Sequence, residues 1–247
     1  MSLSHDLCWG SVTDVVQRLG LTEVHGDDGD AYQVLRSEMM PDPVGTVRVY
    51  SGVVTLAYVG MVVAPIGLDS HMMFAFTAAD SAVPHFTVDS VQNPDAYAFH
   101  LDLIPRLDLG ANLAYMDHCY GPLTEVRTAT LELDGLTPAA LSPRQWALMS
   151  EWMLANHTTE AAFHAIRATV DAYREHWFSL VESGIPDEVL DDVAPGTLAR
   201  RDDRNRAAIF NPEVDRVWER VERLLGAEQS ESVRGLLAAA GTEAVQR

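Results

Sequence analysis

Lysine is absent from this chain. All 17 basic residues are arginine, and 36 acidic residues bring the formal net charge to −19. Without lysine there is no Schiff-base catalysis, no phosphate loop built on lysine and no Ser-Lys nucleophile pair. The acidic balance argues against nucleic-acid binding and against docking on anionic membranes, because both depend on a basic surface. We therefore expect a partner that is neither a nucleic acid nor a membrane.

Cysteine and long apolar runs are also scarce. Only Cys8 and Cys119 occur, without the close spacing of a zinc ribbon or a disulfide framework, which fits a reducing cytoplasm. The most apolar stretch, residues 53–68, is interrupted by glycine and proline and is too short to span a bilayer of ~30 Å. The first residues show no targeting pattern. The sequence thus predicts a cytoplasmic protein.

The order of the elements indicates the fold class. A length of 247 residues with 47% apolar composition predicts a single domain over residues 1–247. Residues 32–103 contain short β-branched runs separated by glycine, which are typical of hairpins, and residues 126–133 read as a further strand. Residues 158–180 repeat apolar side chains every three or four positions, which predicts a helix. Strands followed by helices favour an α+β fold with a largely antiparallel sheet.

Several ionisable residues fall inside the apolar strands. His71 and Asp89 are eighteen positions apart on neighbouring predicted strands, His85 shares a strand face with Asp89, and His100 follows in the next strand. Such groups are costly to bury without partners, so they are candidate site residues. An imidazole and a carboxylate that meet could exchange protons with a substrate near neutral pH. The alternative is a hydrogen-bonded core histidine beside a structural aspartate.

Seven of the 17 arginines lie between Arg200 and Arg223, which makes a local basic patch on an acidic protein. Within it, Arg204 and Arg206 could bind carboxylates through paired hydrogen bonds while Asp203 reaches into a pocket. The alternative is a charged helix start that faces water.

Motifs for metals and nucleotide cofactors are weak or missing. His100 and Asp102 match half of an iron facial triad, for which His157, His164 or His176 could supply a third ligand. The sequence has no phosphate loop, no nucleophile elbow, no HExxH helix and no glycine-rich dinucleotide fingerprint. These absences argue against a Rossmann-bound nicotinamide or flavin, and an iron site at His100 and Asp102 stays open as an alternative.

Four segments in order resemble the ferredoxin-dependent bilin reductases and their plant relative, red chlorophyll catabolite reductase. The segments are His71 followed by Pro84-His85-Phe86 and Asp89; Asp102-Leu103 with Pro105; Ser150-Glu151-Trp152; and Asp203 with Arg206. The resemblance covers about residues 48–226. It implies a three-layer α/β/α sandwich with a central, largely antiparallel sheet and a pocket between the sheet and the C-terminal helices.

The resemblance also implies an activity. Such an enzyme reduces a linear tetrapyrrole, or a comparable conjugated substrate, with single electrons from an external ferredoxin, and no cofactor is built in. Asp89 and His71 would donate protons, and Asp203 would be a second carboxylate at the pocket. We therefore expect His71, Asp89 and Asp203 to converge around one hollow between the sheet and the last helices.

Substrate contacts and the electron donor are further expectations. We hypothesise that Arg204 and Arg206 bind the propionates of the substrate, with His85 and His100 as additional substrate-binding residues. An acidic ferredoxin would need the basic patch at residues 200–223, because the whole chain is acidic. Two alternatives stay open on this fold: cofactor-independent or non-haem iron oxidation of an aromatic metabolite, and a non-catalytic tetrapyrrole-binding protein.

Overall fold

The computed structural model describes residues 2–26, 30–94, 96–191 and 193–240, so the ends of the predicted domain, residues 1 and 241–247, lie outside it. Its strands are β1 (Thr22–Val24), β2 (Gln33–Leu35), β3 (Gly45–Ser51), β4 (Thr55–Val63), β5 (Leu68–Phe76), β6 (His85–Asn93), β7 (Ala96–Ile104), β8 (Leu136–Pro138) and β9 (Leu154–Thr158). They form one antiparallel sheet in the order β1-β3-β4-β5-β6-β7-β9-β8, and β2 also pairs with β3.

Helices cover both faces of this sheet. They are α1 (Leu3–Leu19), α2 (Leu113–Tyr120), α3 (Thr124–Leu131), α4 (Pro143–Trp146), α5 (Glu160–Ala165), α6 (Arg167–Ser183), α7 (Thr197–Ile209), α8 (Val217–Leu225) and α9 (Ala227–Ala239). None of the described helices has the length and apolar character that crossing a bilayer requires. The antiparallel sheet with helices on both of its faces confirms the predicted α+β sandwich.

Strand alternation divides the interior into two cores. In β5, Met73 and Ala75 join the core beneath α1 and α6, which we call the N-terminal core. Phe74 and Phe76 point the other way, into the core beneath α7, α8 and α9, which we call the C-terminal core. Successive side chains of a strand leave opposite faces of the sheet, so each central strand contributes to both cores.

The predicted strand at residues 126–133 is wrong, because residues 126–131 lie in helix α3 and residues 132–133 in the turn that follows it. Its β-branched residues are compatible with a helix since their hydroxyls bond within it: Thr128 donates to the Thr124 carbonyl at 2.8 Å and Thr130 to the Val126 carbonyl at 2.7 Å. Thr130 also contacts Thr169 of α6 at 2.7 Å. Tertiary packing against α6 thus outweighs the local β propensity.

A buried polar network attaches α7 to the sheet. His85, at the start of β6, lies 2.7 Å from an oxygen of Asp202, and Arg206 donates from Nε to the other oxygen at 3.0 Å. The Thr77 backbone N–H donates to His85 Nδ1 at 3.0 Å, so the imidazole proton must be on Nε2, which donates to Asp202. His85, Asp202 and Arg206 are 3%, 5% and 3% exposed. The network therefore fixes the position of α7.

Burial and charge set the ionisation of this network. Burial lowers the pKa of His85 to about 3, against the opposing hydrogen bond with Asp202. Burial alone would raise the pKa of Asp202, but the hydrogen bond from His85 and the charges of Arg206 and Arg106 lower it to about 2. His85 is therefore neutral and Asp202 ionised near neutral pH.

This network makes stability depend on pH. Below pH 6.5, the ordinary pKa of histidine, the unfolded chain protonates His85, whereas the folded chain does so only near pH 3. The free energy of unfolding should therefore fall as the pH drops from 6.5 towards 3. Below pH 3.8 the contribution of the Asp202 carboxylate is lost as well, as the pH approaches 2. Urea unfolding midpoints measured across this interval test the expectation.

The matched control for this measurement is His85→Gln, which retains a hydrogen-bonding side chain but does not titrate. Its unfolding midpoint should depend less steeply on pH between 6.5 and 3. Parallel curves for the variant and the wild type would show that His85 does not contribute to the acid sensitivity.

Candidate functional site

Two adjoining cavities lie between the sheet and α8, with volumes of about 340 and 370 Å³. They share linings from Met72, Val91, Val217, Trp218 and Arg220, and we call them together the cleft. Each volume lies within the ~300–1,000 Å³ typical of small-molecule sites. The hollow that the sequence predicts between the sheet and the final helices is therefore present.

The walls of the cleft are mainly apolar and aromatic. The larger apolar side chains around the first cavity include Met72, Phe74, Leu148, Met149, Phe210 and Trp218. Asp89, His100 and Asp215 are the acidic and imidazole groups in the same lining. Apolar walls with a few convergent polar groups are typical of sites that hold an apolar body and act on one part of it.

Asp89 and His100 face each other across the ladder of β6 and β7, where they form a register pair. His100 Nδ1 lies 3.2 Å from Asp89 Oδ2. The remaining polar atoms of the pair, Asp89 Oδ1 and His100 Nε2, are buried without a hydrogen-bond partner in the described part of the chain. Buried polar atoms are rarely left unpaired, so this pair is suited to receive a ligand.

Asp215 adds a second carboxyl to the cleft. It lies just before α8, where its Oδ1 accepts the Val217 backbone N–H at 2.9 Å. Burial raises the pKa of Asp215, and the charge of Asp89 raises it further. Burial alone would lower the pKa of His100, but the hydrogen bond and charge of Asp89 raise it above its ordinary value. His100 and Asp215 therefore both keep their protons to a higher pH than usual.

The predicted convergence of His71 with Asp89 is wrong. The two residues do lie on neighbouring strands, but His71 pairs with Ser90, and Asp89 pairs with Met72. His71 and Asp89 therefore point to opposite faces of the sheet, since the side-chain period of a strand is two. His71 is 3% exposed and lies in the N-terminal core beneath α1.

The predicted place of Asp203 in the pocket is also wrong. Asp203 is exposed on α7, and Asp202, one position earlier, is the buried carboxylate. Asp202 belongs to the network with His85 and Arg206 and does not line the cleft. His85 and Arg206 are thus occupied by structural contacts, which contradicts the expectation that they contact the substrate.

Arg204 lies elsewhere on α7. It is exposed and borders an open depression together with Arg200 and Arg201, apart from the cleft. Of the four predicted substrate-binding residues, which are all described, His100 alone lines the cleft.

A different set of arginines lines a basin that adjoins the cleft. An outer basin of about 830 Å³ shares Asp215 and Arg220 with the first cavity and adds Arg144, Arg216 and the acidic Glu213. Within residues 2–26, 30–94, 96–191 and 193–240, none of these three arginines forms an ion pair. On a chain of net charge −19, unpaired arginines at one opening favour an anionic group.

The alternative iron site is not assembled from the predicted ligands. Both carboxylate oxygens of Asp102 accept hydrogen bonds from Ser150, at 2.9 Å from the backbone N–H and 2.5 Å from the hydroxyl. His157 and His164 are exposed, and His176 hydrogen-bonds the Cys119 carbonyl at 2.8 Å. In the part of the chain that is described, no three His, Cys, Asp or Glu side chains are placed to hold a metal.

Comparison with known proteins agrees with this architecture. No family model and no curated protein matches the sequence. Among solved structures, the chain is similar to selenomethionine phytochromobilin synthase from tomato in complex with biliverdin, with a TM-score of 0.74 and 14% sequence identity. The match covers 96% of this chain and 83% of the tomato chain. The chain thus has the fold of phytochromobilin synthase, as the resemblance to the bilin reductases predicts.

Proposed function

We propose that this chain is an oxidoreductase that binds a linear tetrapyrrole in the cleft and reduces it by single electrons coupled to protonation. The proposal rests on the convergence of Asp89, His100 and Asp215 at an apolar cleft. It is supported by the shared fold with a protein that has been crystallised with biliverdin. A conjugated, flat molecule suits walls made of Met72 and Trp218, whereas reduction of its double bonds needs proton donors.

The cleft residues take different roles in this proposal. His100 donates a proton from Nε2, the nitrogen that has no partner among the described residues. Asp89 positions the imidazole through Nδ1 and keeps it protonated at higher pH. Asp215 holds its proton because it is buried beside Asp89, which makes it the second donor. Each double bond that is reduced gains two electrons and two protons, so two donors account for one reduction.

Electrons in this proposal come singly from an external carrier of the ferredoxin class, and the tetrapyrrole itself holds the unpaired electron. Arg200, Arg201 and Arg204 give an acidic carrier a local positive surface on an otherwise acidic protein. Local potential guides encounter more than net charge does.

Arg220 takes the carboxylate-binding role that the sequence assigns to Arg204 and Arg206. It borders both cavities of the cleft and the outer basin that Arg144 and Arg216 line. A guanidinium at that opening can bind a propionate by paired hydrogen bonds while the apolar body of the ligand fills the cleft.

The first test is turnover of biliverdin. The protein should change the visible spectrum of biliverdin on mixing, and reduced ferredoxin should then convert the bound pigment. Asp215→Asn should slow conversion by ~10²–10⁴-fold, the usual contribution of a positioned acid, with binding retained. Asp203→Asn is the matched control, because Asp203 is exposed and outside the cleft, and should leave the rate unchanged.

Asp89→Asn should change the pH dependence of turnover in this assay. Without the carboxylate, the pKa of His100 falls, so activity should be lost at a lower pH than in the wild type as the pH rises. An unchanged pH profile contradicts the role of the pair. Binding without any conversion by reduced ferredoxin would favour a tetrapyrrole-binding protein instead.

The second test concerns Arg220. Loss of a charge-assisted hydrogen bond costs about 1.5–3 kcal/mol, so Arg220→Ala should weaken biliverdin binding by roughly tenfold or more. The dimethyl ester of biliverdin should bind the variant and the wild type alike, because it lacks the carboxylates. Arg204→Ala is the control outside the cleft. Equal weakening for the acid and the ester would exclude a carboxylate contact.

The third test concerns the electron donor. Replacing Arg200, Arg201 and Arg204 together by serine should raise the KM for reduced ferredoxin and make turnover less sensitive to salt. Biliverdin affinity should not change, since these residues lie outside the cleft. An unchanged KM would place the docking surface elsewhere.

A further inference from the structure

A second cluster of titratable side chains lies on the sheet face opposite the cleft. His71 Nδ1 is 2.7 Å from the Tyr58 hydroxyl, and its Nε2 is 2.5 Å from Asp69 Oδ1. Tyr58 and His71 are 4% and 3% exposed, whereas Asp69 is partly exposed. The three residues therefore form a hydrogen-bonded chain from the N-terminal core towards the surface, and none of the proposed cleft chemistry uses it.

The direction of these hydrogen bonds follows from the groups themselves. An ionised carboxylate only accepts, so Nε2 of the neutral imidazole carries the proton and donates to Asp69. Nδ1 is then the acceptor, and the Tyr58 hydroxyl donates to it. Burial lowers the pKa of His71 and raises that of Tyr58, so both are neutral at rest. His71 is placed to take the phenolic proton, and Asp69 to stabilise the resulting imidazolium.

Gly60 provides the space for the Tyr58–His71 hydrogen bond. It pairs with His71 in the ladder of β4 and β5. A Cβ atom at this position would lie 2.4 Å from the Tyr58 hydroxyl oxygen and 3.0 Å from His71 Nδ1. The φ angle of Gly60 is not positive, so the backbone conformation does not require glycine. Glycine is needed there because the phenol and imidazole occupy the position of a side chain.

Trp9 gives the phenol an aromatic neighbour closer to the solvent. Its ring centroid is 5.0 Å from that of Tyr58, at an interplanar angle of 68°. Trp9 is partly exposed on α1, so an oxidising equivalent at the surface has an aromatic route to Tyr58. We expect the oxidation to be localised on Tyr58 and not on Trp9, because the phenolic proton of Tyr58 has a hydrogen-bonded acceptor.

We propose that Tyr58 is a redox-active tyrosine whose proton acceptor is His71. A one-electron oxidant, such as an oxygen-derived radical, takes one electron from the phenol. The O–H bond breaks, and the proton moves to His71 Nδ1. The products are a neutral tyrosyl radical and an imidazolium paired with Asp69. A one-electron reductant such as ascorbate reverses the step and returns the proton to the phenol. This activity is independent of any ligand in the cleft.

The proposal is tested by photochemical oxidation of the full chain. A photoexcited ruthenium polypyridyl complex with a sacrificial acceptor provides the oxidant, and electron paramagnetic resonance and transient absorption detect tyrosyl radicals. The wild type should give a persistent tyrosyl radical that Tyr58→Phe removes. Tyr97→Phe is the matched control and should retain it, because that phenol lies at Glu160 on another part of the sheet. A radical unaffected by Tyr58→Phe overturns the proposal.

The role of His71 has separate readouts. His71→Gln retains the phenol but removes the base, so radical formation should slow by at least ~10-fold and should accelerate with added buffer base. The wild-type rate should not depend on buffer base, because its acceptor is internal. That wild-type measurement needs no variant to fold. Buffer-dependent formation in the wild type, or an unchanged rate in a folded His71→Gln protein, overturns the assignment of His71.

Discussion

The register of β5, β6 and β7 determines which ionisable side chains meet in this protein. Paired residues of an antiparallel ladder share a face, and a shift of one residue moves a side chain through the sheet. Asp89 pairs with His100 in one direction and with Met72 in the other, so these three face the C-terminal helices. His71 is adjacent to Met72 in sequence and therefore enters the N-terminal core. A shift of one residue along a strand therefore decides whether an imidazole lies in the cleft or in the N-terminal core.

Burial raises the pKa of both Asp202 and Asp215, but their neighbours move the two carboxyl groups in opposite directions. Asp202 accepts hydrogen bonds from His85 and Arg206, and its pKa is lowered, so it remains a fixed negative charge. Asp215 has one backbone donor and the negative Asp89 nearby, and its pKa is raised. A carboxylate that is saturated with donors suits a structural role, whereas one that is short of donors suits proton transfer. Both residues are aspartates, so their neighbouring donors and charges, and not the residue type, determine which role each one suits.

The sequence predicts the central strands of the sheet correctly, but it predicts only part of the set of residues that line the cleft. The short β-branched runs predict strands within residues 32–103, and β2 to β6 lie inside that range. Whether His71 and Asp89 lie on the same face of the sheet depends on the register that the connection at residues 77–84 sets between β5 and β6. No residue pattern in the sequence reveals that register. On α7 the sequence does carry a signal: Asp202 lies four residues before Arg206 and seven before Ile209, so helical spacing places Asp202, and not Asp203, on the face of Ile209. Asp215 precedes a helix in a turn, and only the packing of α8 brings it to the cleft.

The two clusters depend on the same ladder from opposite sides of the sheet. Gly60 opposite His71 leaves room for the Tyr58 hydroxyl in the N-terminal core, and the next pair along β5 and β6 places Asp89 in the cleft. A register slip in β5 would therefore disrupt both clusters, although no side chain of one touches the other. The sheet therefore keeps the proposed proton donors on one face and the phenol that we propose is oxidised on the other. That separation lets Tyr58 give up an electron without exposing its radical to a ligand in the cleft.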